Sequence, residues 1–361
     1  MNPHHYGLIL AGGRGTRFWP RSRKRSAKQV LDVAGERSLI QATVERLAPV
    51  VPPRRMWILT NEHLRRTIIQ QLPEVPPEQV LAEPVQRNTA PAIGLAAHIL
   101  RQLDPDAVMG VFPADHVVGN PARYRAVLKA ALRAAAAGNL MVVGIQPRWP
   151  ETGYGYIEFP RGTKPGAEAL AVLRFHEKPE LANAKRYLKA GNFYWNSGMF
   201  FWRADVLLDQ LRRHLPRTAS VLASLPRFGS RRFAAALKQA FPLCENISID
   251  YAVLEKAGPS GHPISGIAAA DFGWNDVGSW NAVYELLPRD ADGNVTGAGD
   301  ICLDAHNNFV DARGKLVALL GVRDLIVVDT PDALLVAARD DAQRVGEIVK
   351  ALEKRGREDL L

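Results

Sequence analysis

A chain of 361 residues with 47% hydrophobic content can bury one large core or two, and its length favours a main domain with something smaller beside it. The formal charge of +9 would suit nucleic acid, but the basic residues are scattered through helical stretches with no aromatic repeat beside them, so the charge reads as a solvated surface that favours anionic small substrates. Two distant cysteines, Cys244 and Cys302, exclude a disulfide framework and a zinc site. No apolar run approaches a membrane span of ~20 residues or a signal-peptide core, so a cytoplasmic protein in a reducing compartment is expected.

Tyr6 to Leu10 reads as a short buried strand that runs into Gly12, Gly13 and Gly15. Such a loop has no Cβ in the way, so consecutive backbone N–H groups can close around phosphate oxygens, with Arg14 and Arg17 supplying charge. It is not a Walker A loop, and the dinucleotide fingerprint needs a third glycine where Phe18 stands. The glycines alone would equally make a tight turn; the arginines and Thr16 tilt the reading toward phosphate. Helical spacing follows at Ser38 to Ala48, a strand at Arg55 to Thr60, a helix at Glu62 to Leu72, a strand at Gln79 to Ala82 and a helix at Ala90 to Leu103. Strands at Ala107 to Phe112 and Leu140 to Ile145 bracket an alanine-rich helix over Ala122 to Ala137. This alternation predicts an α/β fold, a Rossmann-like, mostly parallel sheet covered by helices on both faces.

From Glu151 the pattern becomes antiparallel, with helices at Leu181 to Lys189 and Ala204 to His214 and NSGMFFWR between them, which reads as an insertion built on the sheet. Pro216 to Lys256 is largely helical. WNDVGSW at Trp274 to Trp280 is a tight turn before a helix to Leu287. A catalytic domain over 1–288 and a smaller domain over 289–361 are expected. In the latter, apolar triplets centred on Phe309, Val317, Val327 and Leu335 suit short strands stacked by tight turns, too apolar to face water, and Asp340 to Lys354 makes a closing helix.

Asp115 follows the apolar run of its strand, where an open parallel sheet places its ligands, although a loop or N-cap aspartate would look the same. His116 reads as a packing neighbour. Glu83-Pro84-Val85-Gln86-Arg87-Asn88-Thr89-Ala90-Pro91 resembles the base-binding loop of guanylyltransferases, which implies that a carboxylate accepts from two adjacent donors of guanine while Asn88 and Thr89 donate; which residue makes which bond stays open, and Asn88-Thr89 also suits a helix N-terminus.

Gly12-Gly13-Arg14-Gly15-Thr16-Arg17, with Pro20 and Lys28-Gln29, resembles the opening loop of sugar-1-phosphate nucleotidyltransferases, more narrowly of mannose-1-phosphate guanylyltransferases. The Glu83 segment resembles that family's base loop, Gly153-Tyr154-Gly155-Tyr156 its sugar-facing strand, Phe175-His176-Glu177-Lys178-Pro179 its F-x-E-K-P motif, and Trp195-Asn196-Ser197-Gly198 its W-N-S-G motif. Ile249 to Glu255 (IDYAVLE) is a further match whose polar residues suit a structural or a site role. One departure is Ala27, where the family usually has proline.

The resemblance runs from about Tyr6 to Lys350 and implies transfer of GMP from GTP to α-D-mannose 1-phosphate. It implies Arg17, Lys28, Asp115 and Asp276 as catalytic residues, with Asp115 and Asp276 holding Mg²⁺. Leu10, Ala11, Gly12, Gly13, Arg14, Gly15, Thr16, Glu83, Asn88 and Thr89 would bind the nucleotide, and Gly155, Glu177, Lys178 and Asn196 the sugar phosphate. It further implies a small left-handed β-helix at the C-terminus, a homodimer, no nucleic acid or membrane partner, and no fused isomerase domain of the kind in longer relatives. Rivals are a nicotinamide-dependent dehydrogenase, a non-catalytic sugar-nucleotide sensor, and the same chemistry on another hexose or heptose 1-phosphate.

Overall fold

The computed structural model describes residues 2–33, 35–256 and 263–361. Four apolar runs, β1 (His5–Leu10), β2 (Met56–Asn61), β3 (Val80–Glu83) and β4 (Val108–Pro113), pair in parallel in the order β3-β2-β1-β4. Strands buried on both faces have no need of polar alternation. Leu8 enters the core on one face and Ile9 the core on the other. Helices α1 (Leu39–Leu47), α2 (Glu62–Gln71), α3 (Thr89–Leu103) and α4 (Pro121–Ala136) each start at a side-chain cap: Ser38 in a reciprocal pair with Gln41, then Asn61, Asn88 and Asn120. α1, α2 and α4 pack on the Ile9 face and α3 on the Leu8 face.

The sheet grows to ten strands with β6 (Leu140–Ile145), β7 (Tyr156–Glu158), β8 (Leu170–Ala171), β9 (Arg174–His176), β10 (Phe193–Arg203) and β11 (Ile264–Ala269), in the order β3-β2-β1-β4-β10-β6-β11-β8 with β7 attached to β10 and β9 to β7. A separate ribbon joins β5 (Val117–Val118) to β12 (Trp274–Asn275). Two expectations need correction. The NSGMFFWR segment is no insertion: β10 runs antiparallel between β4 and β6 in the middle of the sheet. Its fully buried Trp195, Phe201 and Trp202 are too bulky and apolar for an edge. β11, two isoleucines among four small residues, lies parallel to β6 and was not anticipated. α5 (Leu181–Ala190), α6 (Ala204–His214), α7 (Pro216–Ala223) and α8 (Phe233–Ala240) follow, with a π-helical turn at Asp250–Leu254, and α9 (Trp280–Leu286) comes after β12.

Beyond α9 the chain coils. β13 (Ile301–Leu303) pairs in parallel with β15 (Ala318–Leu320), and β14 (Phe309–Asp311) with β16 (Leu325–Asp329), each partner lying 17 positions further on, a β-helix-like stack that β17 (Leu334–Ala338) extends antiparallel. Buried Asn294 and Asn308 satisfy the turns, the Asn308 amide donating to Asn294 Oδ1 at 3.0 Å. Phe309, Ile326, Val328 and Leu335, with Val345 and Val349 of α10 (Val345–Lys354), pack against Phe18, Trp19, Leu39 and Trp280. The apolar triplets thus cover the catalytic domain on one side only, because Leu316, Leu334 and Val336 keep more than half of their surface exposed. Arg21 pins the junction, bonding Asp32 and Asp311 at 2.6 Å each.

Candidate active site

β2 and β3 lie to one side of β1, and β4 and the later strands to the other, so the loops leaving the carboxyl ends of β1 and β4 diverge and open a crevice. A cleft of about 770 Å³ occupies that place, and it gathers segments from Leu10 to Asp276.

The loop after β1 forms its floor. The Ala11 carbonyl accepts from Thr60 Oγ1 at 3.0 Å and from Gln29 Nε2 at 2.7 Å; Gly13 O accepts from Gln29 at 3.1 Å and Gly12 O from Gln86 at 2.5 Å. With the carbonyls engaged from outside, and with no protein partner for the Gly12 and Gly13 N–H groups among the described residues, the loop turns donors toward the cleft. Gly15 is required for packing: its φ is +60°, and a Cβ there would stand 2.6 Å from Lys28 Cβ.

Lys28 is buried, with 8% of its side chain exposed, and its ammonium reaches Asp115 Oδ2 at 2.8 Å and the Asp276 carbonyl at 2.7 Å. Burial, the largest single influence, would raise the Asp115 pKa, but the charge and hydrogen bond of Lys28 together with His116 and the backbone outweigh it and hold the carboxyl below its ordinary range. The β5–β12 ribbon pairs Asn275 with Val117, so the next register step sets Asp276 beside His116. Trp274 Nε1 donates to His116 Nδ1 at 3.1 Å, which leaves the proton on Nε2, 3.9 Å from Asp115 Oδ1. Burial pushes the His116 pKa down to about 4, so the ring is neutral near pH 7. Tyr154, wedged edge-on against Trp195 and Trp274, has its pKa raised by burial and by the Asp276 carboxylate. Neutral aromatic groups therefore surround two acids and one base.

Glu83, at the carboxyl end of β3, is buried enough that its pKa is pushed up to about 7. Asn88, at φ +64°, turns its Oδ1 back to the Thr89 N–H, while the Thr89 hydroxyl accepts from Ile249 N at 2.9 Å. Both residues begin α3 and line the cleft at once.

The opposite wall carries Gly155, Glu177, Lys178 and Asn196. A β-bulge between Asn196 and Phe200 interrupts the β10–β6 ladder and turns Asn196 into the cleft. A Cβ at Gly155 would meet Glu177 Oε2 at 2.5 Å, so glycine is what lets this wall close up. Lys178 Nζ lies 3.2 Å from Glu177 Oε1. Of the six non-glycine residues at positive φ among the described residues, Asn88, Lys178 and Val277 sit on loops of this cleft, where such strain costs of order 1–3 kcal/mol each.

Leu10, Ala11, Gly12, Gly13, Glu83, Asn88, Thr89, Asp115, Asp276 and the four sugar-side residues line one cavity. Arg14, Gly15, Thr16, Arg17 and Lys28 do not, although Lys28 bonds the lining residues Asp115 and Asp276. Arg14 bonds Glu353 at 2.7 Å and Arg17 bonds Gln343 at 2.5 Å, both in the closing segment, while Gly346 of α10 rests on Thr16. Arg17 remains within reach of the Asp276 loop, its guanidinium lying 3.6 Å from the point where a Gly278 Cβ would be. Residues that sequence reasoning gave no role are Gln29, Gln86, Tyr154, Gln343 and Glu353. The first three belong to motifs it did quote, and no local signal marks the last two.

The nucleotidyl transferase family model matches residues 6–293. The chain belongs to that family. Residues 299–352 match the MannoseP isomerase/GMP-like beta-helix domain. The xanthan biosynthesis protein XanB of Xanthomonas campestris pv. campestris (strain B100) is 41% identical over 98% of this chain and 74% of its own length. A mannose-1-phosphate guanylyltransferase of Escherichia coli (strain K12) is 37% identical over 98% of this chain and 74% of its own length. A crystal structure from Thermus thermophilus, described as a mannose-1-phosphate geranyltransferase, superposes with a TM-score of 0.84 at 35% identity, covering 97% of this chain and 99% of that one. Among the described residues no helix is long and apolar enough to cross a membrane, and no group of three or more His, Cys, Asp or Glu side chains is arranged to hold a metal.

Proposed function

We propose that the protein transfers GMP from GTP to α-D-mannose 1-phosphate, giving GDP-mannose and pyrophosphate. One observation carries the reading: the donor-lined glycine loop, the buried Glu83, the Glu177–Asn196 wall and the two acids Asp115 and Asp276, with buried Lys28 bonded to both acidic residues, meet at a single cleft. The likeness to proteins named mannose-1-phosphate guanylyltransferase, at 37% identity over nearly the whole chain, supports the choice of base and sugar.

A phosphate oxygen of the sugar attacks the α-phosphorus of GTP and pyrophosphate leaves opposite. The nucleophile is already an anion, so no general base is needed, in keeping with a neutral His116. Catalysis then rests on alignment and on neutralising charge as it shifts between oxygens. Lys28 is fixed by Asp115 and the Asp276 carbonyl with one N–H to spare, and we assign that donor to the reacting phosphates. Arg17 at the rim would meet the departing pyrophosphate, Glu83 the guanine edge, and Lys178 the sugar phosphate.

The donor set fits Mg²⁺: two carboxylates on one wall, hard oxygen ligands too few for a protein-only cage, which is how Mg²⁺ binds when substrate phosphates complete its shell. Asp115 and Asp276 would hold it, and it would supply charge neutralisation at the phosphates. Pyrophosphate release over a panel of nucleoside triphosphates and sugar 1-phosphates tests the reading. Maximal turnover is expected for GTP with mannose 1-phosphate, and a clear preference for another pair would replace it.

A further inference from the structure

The amide of Asn196 is held at both ends. Its Oδ1 accepts from Gly198 N at 3.1 Å across the bulge, and its Nδ2 donates to Asp250 Oδ1 at 2.9 Å. Asp250 opens the π-helical turn Asp250–Leu254, closed by a bond from Glu255 N to Asp250 O at 2.9 Å. A single π turn is rare and is found frequently at functional sites, where it aims a side chain. Here it delivers a carboxylate to the cleft beside Glu177, whose side chain is 8% exposed and whose Oε2 is buried with no hydrogen-bond partner among the described residues.

We propose that Asp250 is a positioning residue that locks the Asn196 amide and so sets which sugar hydroxyls the cleft accepts; the inference rests on the function proposed above. An amide offers two N–H donors and two lone pairs. Asp250 takes one donor and Gly198 one lone pair, which leaves one N–H and one lone pair in fixed places facing the cavity. A flipped amide would set N–H against N–H at Gly198 and oxygen against oxygen at Asp250, so both contacts oppose it. The unpaired Glu177 Oε2 then adds an acceptor at a fixed place on the same wall. Donor, lone pair and acceptor in one arrangement distinguish hydroxyl epimers, because a misplaced hydroxyl leaves a buried polar atom unpaired.

Two variants separate anchoring from direct contact. Asp250→Ala removes the anchor, whereas Asp250→Asn keeps an acceptor oxygen for Asn196. With asparagine side chains labelled by ¹⁵N, the Asn196 amide pair should collapse toward the free-solvent position in Asp250→Ala and keep its wild-type dispersion in Asp250→Asn, a readout that needs no substrate. In turnover, Asp250→Ala should raise KM for mannose 1-phosphate tenfold or more and lower the preference over glucose 1-phosphate, with KM for GTP within twofold of wild type. Asp250→Asn should stay within threefold on all counts. An unmoved Asn196 signal in Asp250→Ala, equal damage by both variants, or equal loss toward GTP and sugar would overturn the proposal. Should Asp250→Ala not fold, Asp250→Ser, too short to reach the amide, is read in its place. A wild type inactive with every sugar 1-phosphate would end the functional reading alone, since the amide signal still decides the anchor.

Discussion

The Lys28 ammonium lies 2.8 Å from the Asp115 carboxylate and donates to the Asp276 carbonyl at 2.7 Å, so one buried cation ties together two segments far apart in the chain. Lys28→Ala is expected to lower kcat by about 10² to 10³, the usual effect of removing a preorganised electrostatic group. Stability should fall too, by about 2 to 3 kcal/mol, less than for a fully buried pair because Asp115 keeps a third of its side chain exposed. The sign with pH follows from the depressed Asp115 pKa: the pair stabilises the fold at neutral pH, and its contribution is lost as pH falls below the ordinary carboxylate range. Urea melts at pH 7 and pH 3 should show the gap between wild type and variant closing in acid.

Asp115 and Asp276 meet at one wall, held there by the β5–β12 ribbon. If both serve one ion, Asp115→Asn and Asp276→Asn should each reduce turnover by about 10² to 10³, and the double variant should be little worse than the poorer single one. A double-mutant cycle at several Mg²⁺ concentrations reads this. Near-wild-type turnover of either single variant at low Mg²⁺ would sink the shared-ion proposal.

Glu83 with a pKa of about 7 must be ionised to accept from two guanine donors. KM for GTP is therefore expected to rise as pH drops below 7, approaching tenfold per unit, and Glu83→Gln should flatten that profile while narrowing the preference for GTP over ATP. Because folding raises this acid's pKa, the ionised form opposes the fold above pH 4.5. Glu83→Gln should then match or exceed wild-type stability at pH 8, by up to about 3 kcal/mol. A pH-independent ratio of GTP to ATP KM would show that Glu83 does not read the base.

Ala27 sits at φ −71° and ψ 161°, a proline-compatible backbone, and its N–H has no partner among the described residues. Ala27→Pro is expected to stabilise the protein by about 0.4 to 1 kcal/mol through the unfolded chain, with unchanged turnover. A lower Tm would show that the ring does not fit this buried position.

Truncation after Pro288 would uncover Phe18, Trp19, Leu39 and Trp280, which the C-terminal strands and α10 now bury. The fragment should aggregate, as followed by light scattering, because a contiguous aromatic patch of this kind is poorly tolerated in water. A soluble, fully active fragment would contradict the packing seen here.

The parallel half of the sheet was legible because each strand is a continuous apolar run and each helix opens with an asparagine or serine cap, both local signals. β10 misled for the opposite reason: polar Asn196-Ser197-Gly198 interrupt its two apolar runs where the ladder bulges, and a bulge is invisible until the ladder around it is known. β11 went unseen because ISGIAA carries only two bulky residues among four small ones, too few to show a strand pattern. The glycine loop, Asp115 and the W-N-S-G asparagine could be placed from their motifs. Asp250 could not, since its role depends on a π turn set by tertiary packing.

The contacts from Arg14 to Glu353 and from Arg17 to Gln343 span 339 and 326 positions. The loop therefore leaves a ribosome well ahead of the groups that hold it. At about 5–20 residues per second, roughly 20 to 70 seconds separate the two. By the end of that interval a nascent chain holds every segment that lines the cleft and still lacks the grip on its two loop arginines, which arrives only when the closing segment emerges.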